Sequence, residues 1–146
     1  MTRRKTVSKV LELKGFTKEQ LEAEVLKIRE KLNSEQQKLA ALEQTYAGNC
    51  AELTACQQKG TMPVRELNLF YAYLEQLTRQ MKQQKMVIAQ WQAELAEKQK
   101  AMVEAYKEQR LVEILHNKIV KAEVKEADRS EQKEADSNFL TRKVKE

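Results

Sequence analysis

Few residues in this 146-residue chain have the type and spacing for chemistry. His116 is the sole histidine, and Cys50 and Cys56 are the only cysteines. A metal centre needs several convergent ligands, and His116 has no such cluster around it in the sequence. Six residues apart on a helix, the two cysteines stand about 240° apart around the axis and cannot pair locally. They read as two reduced helix residues. Carboxylates are abundant, but on a solvated helical surface they lack the pocket that shifts a pKa toward acid–base work. No glycine-rich phosphate loop and no nucleophile elbow is present. Trp91 and Met102 read as packing residues. The residues predict a non-enzyme that needs no metal and no cofactor.

The informative excess is aromatic. Phe70, Tyr71 and Tyr73 cluster within four positions, and Tyr46 lies in the preceding half of the chain. Two readings stand for them. Large side chains can widen a helix–helix seam, or they can form a protein-binding patch, since Tyr and Phe are favoured at interfaces.

These residues need helices to position them. Just over half of the chain is Ala, Glu, Leu, Lys and Arg, with only 3 Gly and 1 Pro, a composition typical of coiled coils. A strict alternation of four and three runs through Val7, Leu11, Lys14, Lys18, Leu21, Val25, Ile28 and Leu32. It continues through Glu35, Leu39, Leu42, Tyr46, Asn49, Leu53 and Cys56. This 3.5-residue period keeps one stripe against a partner helix. The pattern then breaks at Gln57–Pro63, where Gly60 suits a helix C-terminus, Thr61 an N-cap and Pro63 a first helical turn. It restarts at Leu67, Phe70, Leu74, Leu77, Met81, Gln84, Ile88 and Trp91. Leu95, Lys98, Met102, Ala105, Gln109, Val112, His116 and Ile119 complete it.

A short turn near residue 60 makes two helices antiparallel neighbours, so residue i faces roughly residue 120 − i. The apolar pattern ends at Ile119, where the first helix runs out of residues to face. The predicted fold is all-α: a single domain over 1–146, with two long helices in an antiparallel coiled-coil hairpin and the second overhanging at its C-terminus. Helix one is expected at about 5–57, the turn at about 58–63, helix two at about 64–137, with a frayed tail to 146. Thr17 and Gln20 form a capping-box pattern, with Phe16 and Leu21 placed as a hydrophobic staple. They offer an alternative start for helix one near Lys18, with Gly15 as the weak point.

Charge narrows the function classes. The net charge is +5, and the first fourteen residues hold Arg3, Arg4, Lys5, Lys9 and Lys14 against Glu12. The remainder is nearly balanced, which argues against a nucleic-acid stripe along the molecule. No apolar run reaches the roughly 20 residues needed to span a bilayer, and the basic, polar start does not read as a signal peptide. These features predict a cytoplasmic protein without direct membrane insertion.

Four segments together resemble the FliJ family of the bacterial flagellar export apparatus. Val7–Lys14 (VSKVLELK) is similar to the family's opening segment. Leu69–Leu77 (LFYAYLEQL) is similar to its stretch opening helix two, and Ala105–Arg110 with Leu115 to its mid-helix run. Arg129–Asp136 (RSEQKEAD) matches its tail, with Ser137 standing where the family usually has an acidic residue. The order and spacing of the four segments carry the resemblance across nearly the whole chain.

The resemblance implies a non-enzymatic stalk of flagellar type III protein export, serving motility. It implies three partners: the hexameric export ATPase, the membrane export-gate protein and export chaperones. It also implies a cytoplasmic protein peripherally associated with the cytoplasmic face of the inner membrane, at the flagellar base, and monomeric when free. By position, Leu39, Leu42, Tyr46, Phe70, Leu74, Leu77 and Met81 correspond to the family's gate contact. The basic Arg3, Arg4 and Lys5 are expected to meet acidic loops of the ATPase ring. A homologous stalk of a virulence-type injectisome, or a generic homodimeric coiled-coil scaffold, would share the architecture.

Overall fold

The computed structural model describes residues 2–60 and 62–145. Thr61, the expected N-cap, lies outside the described residues. Two helices, α1 (Thr2–Gln58) and α2 (Val64–Lys145), account for nearly all of the described chain. Between them the chain turns at Gly60, whose φ of +121° is a conformation that side-chain-bearing residues avoid. The Pro63 carbonyl accepts from the amides of Glu66 and Leu67, each at 3.1 Å. Pro63 thus stands just before the first helical residue, one position outside the first turn expected for it. Its missing N–H costs nothing there.

Every predicted seam position is buried or half-buried, all fifteen on α1 and all sixteen on α2. The alternative start at Lys18 is not adopted. α1 runs unbroken through Gly15, and the Thr17 hydroxyl donates to the Leu13 carbonyl at 3.1 Å, a bond made inside a helix and not at its cap. Phe16 is exposed, so the staple is absent too. A Cβ at Gly15 would lie 3.7 Å from Gln109 Nε2, an ordinary contact. α1 begins at Thr2, earlier than the expected residue 5, and α2 continues to Lys145, eight residues past the expected end at about 137.

Contacts divide the chain into two compact units, Met1–Leu21 with Ala101–Glu146, and Glu22–Lys100. In the unit Glu22–Lys100, α1 and α2 pack antiparallel across a core of Val25, Ile28, Leu53, Leu74, Leu77 and Ile88. One polar layer interrupts that core. Glu35 is only 5% exposed. Gln84 Nε2 donates to the Glu35 carboxylate and, at 2.9 Å, to the Glu35 backbone carbonyl. Lys31 and Lys38 reach the other carboxylate oxygen at 3.2 and 3.3 Å. The Gln84 hydrogen bond first, then that of Lys31, hold the Glu35 carboxyl down from 4.5 to about 2, against the opposing pull of burial. Lys98 also crosses to Glu24 at 3.0 Å.

In the unit of the chain ends, Ala105 is the one buried apolar side chain among the described residues. Polar residues on and beside the seam make the cross-helix links. Lys14 pairs with Glu108 at 2.8 Å, Arg4 with Glu123 at 3.5 Å, and Lys18 sits 5.0 Å over the Tyr106 ring. From Lys121 onward every described residue is exposed except Glu123. The overhang therefore begins where the facing rule puts it, and α2 there has no helix beside it to bury a face.

Candidate functional site

The expected gate-contact residues all come from one stretch of the seam in the unit Glu22–Lys100. The positions 39, 42 and 46 on α1 are spaced by three and four. So are 70, 74, 77 and 81 on α2, and this spacing turns every one of them toward the facing helix. Leu77 is 3% and Leu74 8% exposed; Leu39, Leu42, Tyr46, Phe70 and Met81 are half-buried. Packing accounts for each of them. A partner could touch only the outer edges of the half-buried five.

Beside this seam lies an open groove that the seam pattern does not mark. Asn49 and Glu52 of α1 face Glu66, Leu69, Phe70 and Tyr73 of α2 across it. Phe70 is the half-buried floor, while Leu69 is 67% and Tyr73 42% exposed. Tyr71 is exposed as well, on the flank of α2. The aromatic cluster is therefore split: Phe70 is half-buried in the seam, and the two tyrosines are exposed to solvent. Leu69 and Tyr73 are missed by a search confined to seam positions. Their signal is an apolar residue one place before a seam residue, at 69 and again at 73. A second groove, lined by Leu42, Thr45, Gln80 and Val87 among others, opens near the Glu35–Gln84 layer.

The basic end is arranged differently. Arg3, Arg4 and Lys5 are exposed. Arg4 is engaged with Glu123, and Arg4, Lys5, Ser8, Lys9 and Glu123 line one shallow groove. Arg3 and Lys5 have no ion pair among the described residues. This is a solvated cationic surface with one arm tied down.

The residues considered for other chemistry stay apart. Cys50 and Cys56 are free and half-buried, and His116 is a half-buried seam residue. Among the described residues no three His, Cys, Asp or Glu side chains gather as a metal-binding set. No described helix is long and apolar enough to cross a membrane.

Among known protein families, the model described as Flagellar FliJ protein matches residues 4–144 of the chain. No curated protein and no solved structure matches it.

Proposed function

The chain belongs to the flagellar FliJ family, and on that footing we propose that it is a non-enzymatic stalk component of the flagellar type III protein export apparatus. In this reading it links the hexameric export ATPase to the membrane export gate at the cytoplasmic face of the inner membrane, and it binds export chaperones. The observation that carries the proposal is the family match over nearly the whole chain.

The physical features suit such a part. Each helix is continuous, so a load applied to one end is carried by backbone hydrogen bonds along its length. The exposed reach of α2 beyond Glu123 is polar for most of its length, which keeps a projecting helix from collapsing on other surfaces. The cationic Arg3, Arg4 and Lys5 would be drawn to acidic loops in the bore of a ring, an attraction that speeds encounter more than it tightens binding. The half-buried Tyr46 and Phe70, with the groove beside them, offer a contact to the gate.

The test is co-purification of the full chain with the export ATPase of the same organism, followed at rising salt. The wild-type chain is expected to be retained at low salt and released as charges are screened. No retention at low salt would sink the ATPase link.

A further inference from the structure

The groove beside Phe70 has a charge environment unlike the rest of the chain. Residues 41–58 and 66–78 contain Glu43, Glu52, Glu66 and Glu75 and not one Lys or Arg, in a protein whose net charge is +5. The groove brings these two segments side by side, with Glu52 on one rim and Glu66 on the other. Elsewhere in the same unit, Glu24 is matched by Lys98, and Glu35 by Lys31 and Lys38. None of the four groove-region glutamates has an ion pair among the described residues. Between the two rims lie the exposed Leu69 and Tyr73 and the half-buried Phe70.

We propose that this groove docks a protein segment bearing Lys or Arg beside an apolar residue, its cation held between Glu52 and Glu66 and its aliphatic stem laid on Leu69, Phe70 and Tyr73. A lysine or arginine stem buries its methylenes on apolar surface while its head stays at a charged rim. An arginine also stacks on a tyrosine face, which a carboxylate cannot do. Glu52 and Glu66 on the groove's rims repel nucleic-acid phosphates, anionic lipid surfaces and acidic helices, so the occupant is a basic stretch of a partner protein. The inference deepens the gate-contact reading and rests on it only for which protein supplies the segment. It moves the contact from the seam leucines to the flank positions 52, 66, 69 and 73.

The experiment titrates the full chain with a short amphipathic peptide of lysine and leucine, followed by amide shifts, with a glutamate–leucine peptide as control. The basic peptide should perturb amides around residues 49–73 in one saturable step, and the acidic peptide should not. Glu52→Gln with Glu66→Gln should raise the Kd about tenfold, and Tyr73→Ala by a similar factor. All three positions are exposed, so these variants keep the fold, and circular dichroism checks that they do. Shifts centred elsewhere, or an unchanged Kd in the variants, would overturn the proposal. Self-association of the free chain that E52Q/E66Q abolishes would overturn it too, because a second copy would then be the occupant. Titration of the wild-type chain with the gate's cytoplasmic domain is read separately, since its failure removes the named partner and not the chemistry of the groove.

Discussion

The unit Glu22–Lys100 and the unit of the chain ends follow one alternation of four and three, yet they adhere by different means. The first buries Val25, Ile28, Leu53, Leu74, Leu77 and Ile88; the second, among its described apolar residues, buries only Ala105. In their place it sets Lys14, Lys18 and Gln109 on the seam and ties its helices with exposed pairs such as Lys14–Glu108. Fully burying a leucine is worth roughly 1.5–3 kcal/mol, whereas an exposed ion pair is worth about 0–1 kcal/mol. A heptad pattern therefore specifies geometry without specifying strength. Strength depends on which residues fill the pattern.

The sharpest way to break this contrast is amide exchange of the free chain. Amides of α2 beyond Glu123 should exchange with almost no protection, because an unpacked helix holds its hydrogen bonds weakly. Seam amides around Ile28 and Leu77 should be slower by roughly a thousandfold or more. Equal protection in both places would end the distinction.

Next in size is a pair of truncations. Leu77→Ala, at the most buried seam position, should cost about 2–4 kcal/mol in denaturant unfolding. Leu11→Ala, at a half-buried position of the other unit, should cost less than half of that. Similar losses would mean that both units carry the same apolar load.

A smaller, pH-dependent effect belongs to Glu35. Its folded-state carboxyl titrates at about 2, below the ordinary 4.5. Folding is therefore favoured by its ionised form above pH 4.5, and that contribution fades as pH falls from 4.5 toward 2. Glu35→Gln should flatten the fall in Tm across this window relative to wild type. Parallel curves would show that the Gln84 and Lys31 contacts do not govern the acid limb.

The smallest stability effect is expected at the basic end. Replacing Arg3, Arg4 and Lys5 with Ala should change unfolding free energy by no more than about 0.5 kcal/mol. Binding to the export ATPase should weaken and lose much of its salt dependence. A large drop in stability would reassign the Arg4–Glu123 pair from surface contact to structural tie.

Much of the architecture was legible because the helical period is redundant. Gly15 could not break α1, since the seam residues on both sides of it keep the same register. The end of the seam at Ile119 was legible because the facing rule needs only the position of the turn. The end of α2 was not. Its apolar signal stops at Ile119, and a helix without a partner leaves no periodic mark. Residues 138–145 are nevertheless helical, and the Thr141 hydroxyl reaches the Ser137 carbonyl at 2.8 Å. The groove was hidden for a related reason. Selection by seam position picks side chains that packing already explains, so it marks Tyr46 and Phe70 as contact residues and passes over Leu69, and over Tyr73 of the aromatic cluster.

The Glu35–Gln84 layer also works as a vernier mark for assembly of the hairpin. Slide α2 by one heptad and Glu35 would meet Leu77 or Trp91, while Gln84 would meet Ile28 or Leu42. Every such slip leaves the Gln84 amide among hydrocarbon and takes from the Glu35 carboxylate its one cross-helix donor, leaving it only Lys31 and Lys38 of its own helix. A parallel pairing of two copies fares no better, because it would set Glu35 against Glu35. Only the in-chain alignment gives the carboxylate its amide, so a zipping error is left exposed to reopening and the correct register is retained.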